Sequence, residues 1–134
     1  MLEPMNPSSA SRERGASRGH VLIVDDDENV RDVLHEYLTG AGYEVEIVGT
    51  SLAALSAIHA RLPDVVLLDL RMPGAMRGEA VVAPIAKKVP VIVITGEIEP
   101  ELKAQTLRDG ALEVLEKPFD LDRVRAAVAA AMLR

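Results

Sequence analysis

From His20 onward, short aliphatic runs alternate with stretches whose apolar residues recur at helical spacing. Runs such as Val21-Leu22-Ile23-Val24, Val65-Val66-Leu67-Leu68 and Val91-Ile92-Val93-Ile94 predict strands at about 20–25, 43–48, 64–69, 90–95 and 112–116. Helices are predicted near 28–40, 51–61, 79–88, 100–109 and 120–133. In the first of them Val30, Val33, Leu34, Tyr37, Leu38 and Ala41 follow the i, i+3, i+4, i+7 rule, and Gly40 or Gly42 can end it. Pro100 suits a first helical position. Asp120 suits the N-cap of a last helix whose inward face is Leu121, Val124, Val128 and Met132. Strict alternation of the two patterns implies βαβ units, and so an α/β fold: a parallel sheet of five strands with five helices on its two faces.

Residues 1–18 are rich in Ser, Pro, Arg and Gly and carry few large apolar side chains, too few to offset the entropy of ordering. They are read as a disordered tail, with Arg12, Arg14 and Arg18 giving it a basic end, ahead of a single domain at 19–134. Hydrophobic residues make up 49% of the 134 but aromatics only 2%, so Val, Leu, Ile and Ala must fill the core and stacking on nucleic-acid bases is disfavoured. A formal net charge of -6 argues against a footprint on a phosphate backbone, so no direct nucleic-acid contact is expected. The absence of cysteine removes disulfides, thiolate metal sites and cysteine nucleophiles together. No signal-peptide core occupies residues 1–10, and the aliphatic runs are far too short to span a bilayer. The expectation is a cytoplasmic protein without membrane contact.

Several predicted strands end in groups with chemistry. Asp25-Asp26-Asp27 follows the first, Asp69 the third, and Lys117-Pro118 the fifth. In a parallel sheet these carboxyl ends lie along one edge, which gathers carboxylates beside an ammonium. Taken alone, Asp25 to Asp27 are as well explained by acids opening a helix, where they complement its dipole. Together with Leu68-Asp69-Leu70-Arg71-Met72-Pro73-Gly74 and Lys117-Pro118-Phe119, the set resembles the receiver domain of two-component response regulators, over residues 20 to 133. The resemblance implies a flavodoxin-like, doubly wound sheet in order 2-1-3-4-5, with ligands bound beyond the strand ends where the order reverses.

The resemblance also implies residue roles. Asp69 is the phosphoryl acceptor, with Thr95 and Lys117 contacting the phosphoryl group. Asp26 and Asp69 ligate magnesium, or manganese in its place, directly; Asp25 acts through water, and Arg71 contributes its main-chain carbonyl. Such a set suits a hard cation that keeps several waters. Asp27 falls at a variable position and is expected to cap the first helix. A cis peptide between Lys117 and Pro118 is implied as well. The implied reaction is attack by the Asp69 carboxylate on a phosphohistidine, with catalysis mostly by positioning and charge. Implied partners are a histidine kinase or phosphotransfer protein, and a downstream protein or second copy at the fourth helix, fifth strand and fifth helix, where Lys103, Arg108, Glu113 and Arg123 offer mixed charge. The domain is then a signalling receiver in a phosphorelay and not an enzyme in its own right. Arg71 and Glu97, two residues past Asp69 and Thr95, carry opposite charges and are expected to meet over the site as a gate on dephosphorylation.

The chain departs from the family at three points. The switch position three residues before Lys117, usually aromatic, is Val114, so output must run through Thr95 without a ring to turn. The interval from Asp69 to Thr95 is 26 residues, a few fewer than receivers commonly have, while the loop before Gly78 has one residue more. The third helix is therefore expected to be short, and Pro84 to make it start late or kink. Two other functions fit the residues less completely: a degenerate receiver serving only as an interaction module, and a haloacid-dehalogenase-type phosphohydrolase using Asp25-Asp26-Asp27, for which the late acids are only Asp120 and Asp122. The chain reads equally as a standalone receiver or as part of a longer regulator.

Overall fold

The computed structural model describes residues 17–134 other than Pro73 and Ala75. Along them run β1 (His20–Val24), α1 (Glu28–Gly40), β2 (Glu44–Val48), α2 (Ser51–Ala60), β3 (Val65–Leu68), α3 (Gly78–Ala86), β4 (Val91–Thr95), α4 (Pro100–Arg108), β5 (Glu113–Glu116) and α5 (Leu121–Met132). The strands pair in parallel in the order β2-β1-β3-β4-β5. This is the flavodoxin-like, doubly wound sheet that the family resemblance implies. Of the expected tail only Ser17 and Arg18 fall among the described residues, and the Arg18 amide already donates to the Gly42 carbonyl at 2.9 Å.

Alternation along the central strands divides the interior in two. Leu22, Val24, Val66, Leu68, Val91 and Val93 face Ala54 and Ile58 of α2 and Val81, Val82 and Ile85 of α3. Val21, Ile23, Val65, Leu67, Ile92 and Ile94 face Leu34 and Leu38 of α1 and Val124 and Val128 of α5. The three middle strands are thus covered on both sides, as parallel sheets require, and each fully buried aliphatic side chain stabilises the fold by about 1.5–3 kcal/mol. Val33 departs from the expected inward face of α1 and is 45% exposed. The inward stripe centres on Leu34 and Leu38, and Val33 is left at its edge.

Helix ends carry the expected signals. The Asp27 carboxylate accepts from the amides of Asn29 and Val30, and Asp120 accepts from Asp122. Pro100 opens α4. Of the two candidate glycines, Gly42 ends α1, at φ 101°, where the Gly42 and Tyr43 amides close back on Thr39 and Leu38. α3 is short, as expected, but it does not start late: it begins at Gly78 and runs through Pro84. Proline there forfeits the bond to the Ala80 carbonyl, and both residues are exposed.

Candidate functional site at the carboxyl edge of the sheet

Register determines what meets at this edge. Val24 is paired with Val48 on one side and Leu68 on the other, so the next residues out, Asp25 and Asp69, emerge side by side. Backbone bonds continue past the strands: the Asp25 amide donates to the Val48 carbonyl at 3.1 Å and the Asp69 amide to the Val24 carbonyl at 2.9 Å. Thr95 is register partner to Glu116, and the Lys117 amide donates to the Thr95 carbonyl at 2.7 Å, which brings the lysine from the far side. The Lys117–Pro118 peptide is cis.

Asp25 and Asp69 are buried, at 3% and 5% exposure, whereas Asp26 is exposed. Asp69 Oδ1 accepts from the Thr95 hydroxyl at 2.9 Å and from the Arg71 amide at 3.0 Å. Lys117 Nζ donates to Asp69 Oδ2 at 3.0 Å and to Asp25 Oδ2 at 2.8 Å. Asp25 Oδ1 accepts from the Asp27 amide at 2.8 Å. One carboxylate oxygen each of Asp25, Asp26 and Asp69 lies within 4.8 Å of the others.

Like charges at that separation repel by roughly 3–4 kcal/mol at an effective dielectric near 20. One ammonium cannot balance three carboxylates. Burial pushes the Asp25 carboxyl above its ordinary value, against the pull of its bonds from Lys117 and the Asp27 amide. Burial works to lower Lys117, but its hydrogen bonds to Asp25 and Asp69 outweigh that and raise it. Three hard oxygen donors with surplus negative charge and one exposed member form a donor set that fits a magnesium-sized dication.

At the mouth, the Arg71 guanidinium reaches across to the loop after β4, as anticipated, but it donates to the main-chain carbonyl of Glu97. Among the described residues the Glu97 carboxylate forms no ion pair with Arg71, so the expected pairing of opposite charges is replaced by a charge–dipole contact. Beside it a cavity of about 390 Å³ opens between the two loops, lined by Arg71, Met72, Arg77, Thr95, Ile98 and Leu102. Val114 is half-buried, paired in register with Val93 and packed on the α2–α3 side of the core. The late acids are occupied elsewhere: Asp120 caps α5, and Asp122 accepts from the Tyr37 hydroxyl. What sequence reasoning missed is the part played by main-chain donors. The amides of Asp27 and Arg71 hold the two buried carboxylates, and no residue type signals such a role, because every residue but proline has an N–H.

The family model described as the response regulator receiver domain matches residues 21–129. The DNA-binding transcriptional regulator NtrC of Klebsiella pneumoniae is 39% identical over 114 residues, covering 83% of this chain and 24% of that protein. The chain thus spans about a quarter of the length of such curated relatives. Among solved structures, the signal receiver domain of the LuxO repressor protein from Vibrio parahaemolyticus superposes with a TM-score of 0.81 at 30% identity, covering 87% of this chain and 92% of that one. The receiver domain of NtrX from Brucella abortus gives 0.78 at 32% identity, covering 84% and 98%. Among the described residues no helix is long and apolar enough to cross a membrane. With a family model spanning nearly all of the sheet and helices and three acids gathered at the strand ends, the chain belongs to the receiver-domain family of two-component response regulators.

Proposed function

We propose that this domain accepts a phosphoryl group on Asp69 from a phosphohistidine of a histidine kinase or phosphotransfer protein and uses it to switch an interaction surface. The observation that carries the reading is the convergence on one buried carboxylate of Lys117 Nζ and the Thr95 hydroxyl, with Asp25 and Asp26 beside it. A carboxylate oxygen of Asp69 attacks phosphorus; the P–N bond to the donor imidazole breaks, the imidazole takes up a proton, and an acyl phosphate forms. Lys117 and Thr95, already bonded to the acceptor, are placed to follow the phosphoryl oxygens as charge moves onto them. Asp26 and Asp69 would hold magnesium directly, Asp25 through water, and the Arg71 carbonyl would complete the protein ligands. When bound, the cation supplies the positive charge that lets a dianionic group approach three carboxylates.

The NtrC relative is a DNA-binding regulator as a whole protein, and this domain is not proposed to contact DNA. Here the output partner is a protein or a second copy, docked at α4, β5 and α5. The chemistry is tested by incubation with a small-molecule phosphodonor and magnesium. One phosphoryl mass is expected on the wild type and none on Asp69→Asn; undiminished modification of that variant overturns the assignment.

A further inference from the structure

A Cβ built on Gly78, the first residue of α3, would lie 2.5 Å from the Cα, 2.6 Å from the carbonyl oxygen and 2.8 Å from the carbonyl carbon of Leu70. The obstacle is main chain, which has no flexible tip to swing aside. Among the described residues the glycines at positive φ are Gly19, Gly42, Gly74 and Gly110; Gly78 is not one of them, so what the position demands is room and not an unusual backbone conformation. Leu70 directly follows Asp69, and its carbonyl belongs to the same planar peptide as the Arg71 amide, the donor to Asp69 Oδ1 at 3.0 Å. One rigid peptide therefore has α3 pressed against its carbonyl side and the acceptor carboxylate bonded at its amide side.

We propose, resting on Asp69 as the acceptor, that Gly78 is a positioning residue for phosphoryl acceptance. Its bare Cα lets the first turn of α3 bear on the Leu70–Arg71 peptide, and that peptide aims the Asp69 carboxylate. The extra residue in the loop before Gly78 is taken up between two fixed points. Loop length is thereby uncoupled from acceptor geometry, and the contact itself is what the site requires.

Gly78→Ala is expected to cut the initial rate of phosphorylation by acetyl phosphate and magnesium about 100-fold, the scale of an ångström-sized misplacement. In the same variant the Arg71 amide should lose its protection from hydrogen exchange while amides in β1 and β4 keep theirs. Because the clash is with main chain, adding Leu70→Ala should not restore the rate. Inserting one glycine after Gly74 should leave the rate within about threefold, since one more loop residue adds little closure entropy. The inference is overturned by wild-type phosphorylation in Gly78→Ala, by rescue through Leu70→Ala, or by loss of acceptance in the insertion variant, which still decides the matter if Gly78→Ala does not fold. A wild type that takes no phosphoryl group on Asp69 would instead strike the functional reading. The Arg71 exchange measurement needs no phosphoryl group and would still judge the positioning.

Discussion

Asp25 and Asp26 are neighbours in sequence with opposite situations: Asp25 is buried with both oxygens occupied by protein donors, and Asp26 is exposed. In the proposed site Asp26 is a direct ligand and Asp25 acts through water, so the two carboxylates should carry unequal weight in holding the cation. Asp26→Ala should accordingly abolish magnesium binding in titration calorimetry, while Asp25→Ala weakens it less; equal affinity in wild type and Asp26→Ala would remove Asp26 from the ligand set. The mouth of the site invites a second test. Because Arg71 holds the Glu97 carbonyl and not its carboxylate, Glu97→Ala should leave the acyl-phosphate lifetime unchanged. Arg71→Ala should shorten it several-fold, on the order of 1 kcal/mol of barrier if the lost hydrogen bond is what keeps water out. A lifetime that responds to Glu97→Ala or collapses in high salt would restore the ion-pair reading. The reach of Arg71 to the second loop was legible from its position two residues past Asp69. Which oxygen it would meet was not, because a long side chain has many rotamers and the sequence is silent on loop backbone.

Elements were legible where periodicity and end signals agreed. Asp27, Gly42, Pro100 and Asp120 each mark a helix end by chemistry that works locally, without help from the rest of the fold. Val33 misled because a helical stripe read from spacing is wider than the face the sheet covers. α3 misled for a different reason. Local propensity put its start after Gly78 and a disturbance at Pro84, but Val81, Val82 and Ile85 are each at most 1% exposed, and burying them outweighs the lost hydrogen bond. Pro84→Ala should therefore stabilise the domain by about 1–3 kcal/mol, less any restriction proline places on the unfolded chain, as read by urea denaturation. A loss of stability would mean that the ring packs in a way its exposure does not suggest.

At the scale of the molecule, strand order was legible only by resemblance, since period and composition do not tell which strand lies beside which. The same holds for the output face. Arg123 of α5 pairs with Glu113 of β5, tying two elements of the proposed docking surface together, and α4 follows the loop that carries Thr95 and Glu97. On the proposed reading, with Val114 in place of a ring, the signal passes from Thr95 through this loop. A phosphoryl mimic should shift amide resonances in α4 and β5, and Thr95→Ala, slower to accept a phosphoryl group for want of its hydroxyl, should suppress those shifts once the site is filled. Changes confined to α1 and α2 would move the output surface elsewhere.

The ammonium that balances two buried carboxylates lies 92 residues after one and 48 after the other. During synthesis the three acids all emerge long before it, and parallel pairing places it only after β5 has crossed to the far edge of the sheet. Until then the acids, already side by side through the pairing of β1 and β3, lack their counter-charge. A chain ended before β5 is therefore expected to take no phosphoryl group on Asp69. On the proposed reading, the lysine that serves the chemistry thus also ties phosphoryl acceptance to the placement of β5 at the edge of the sheet.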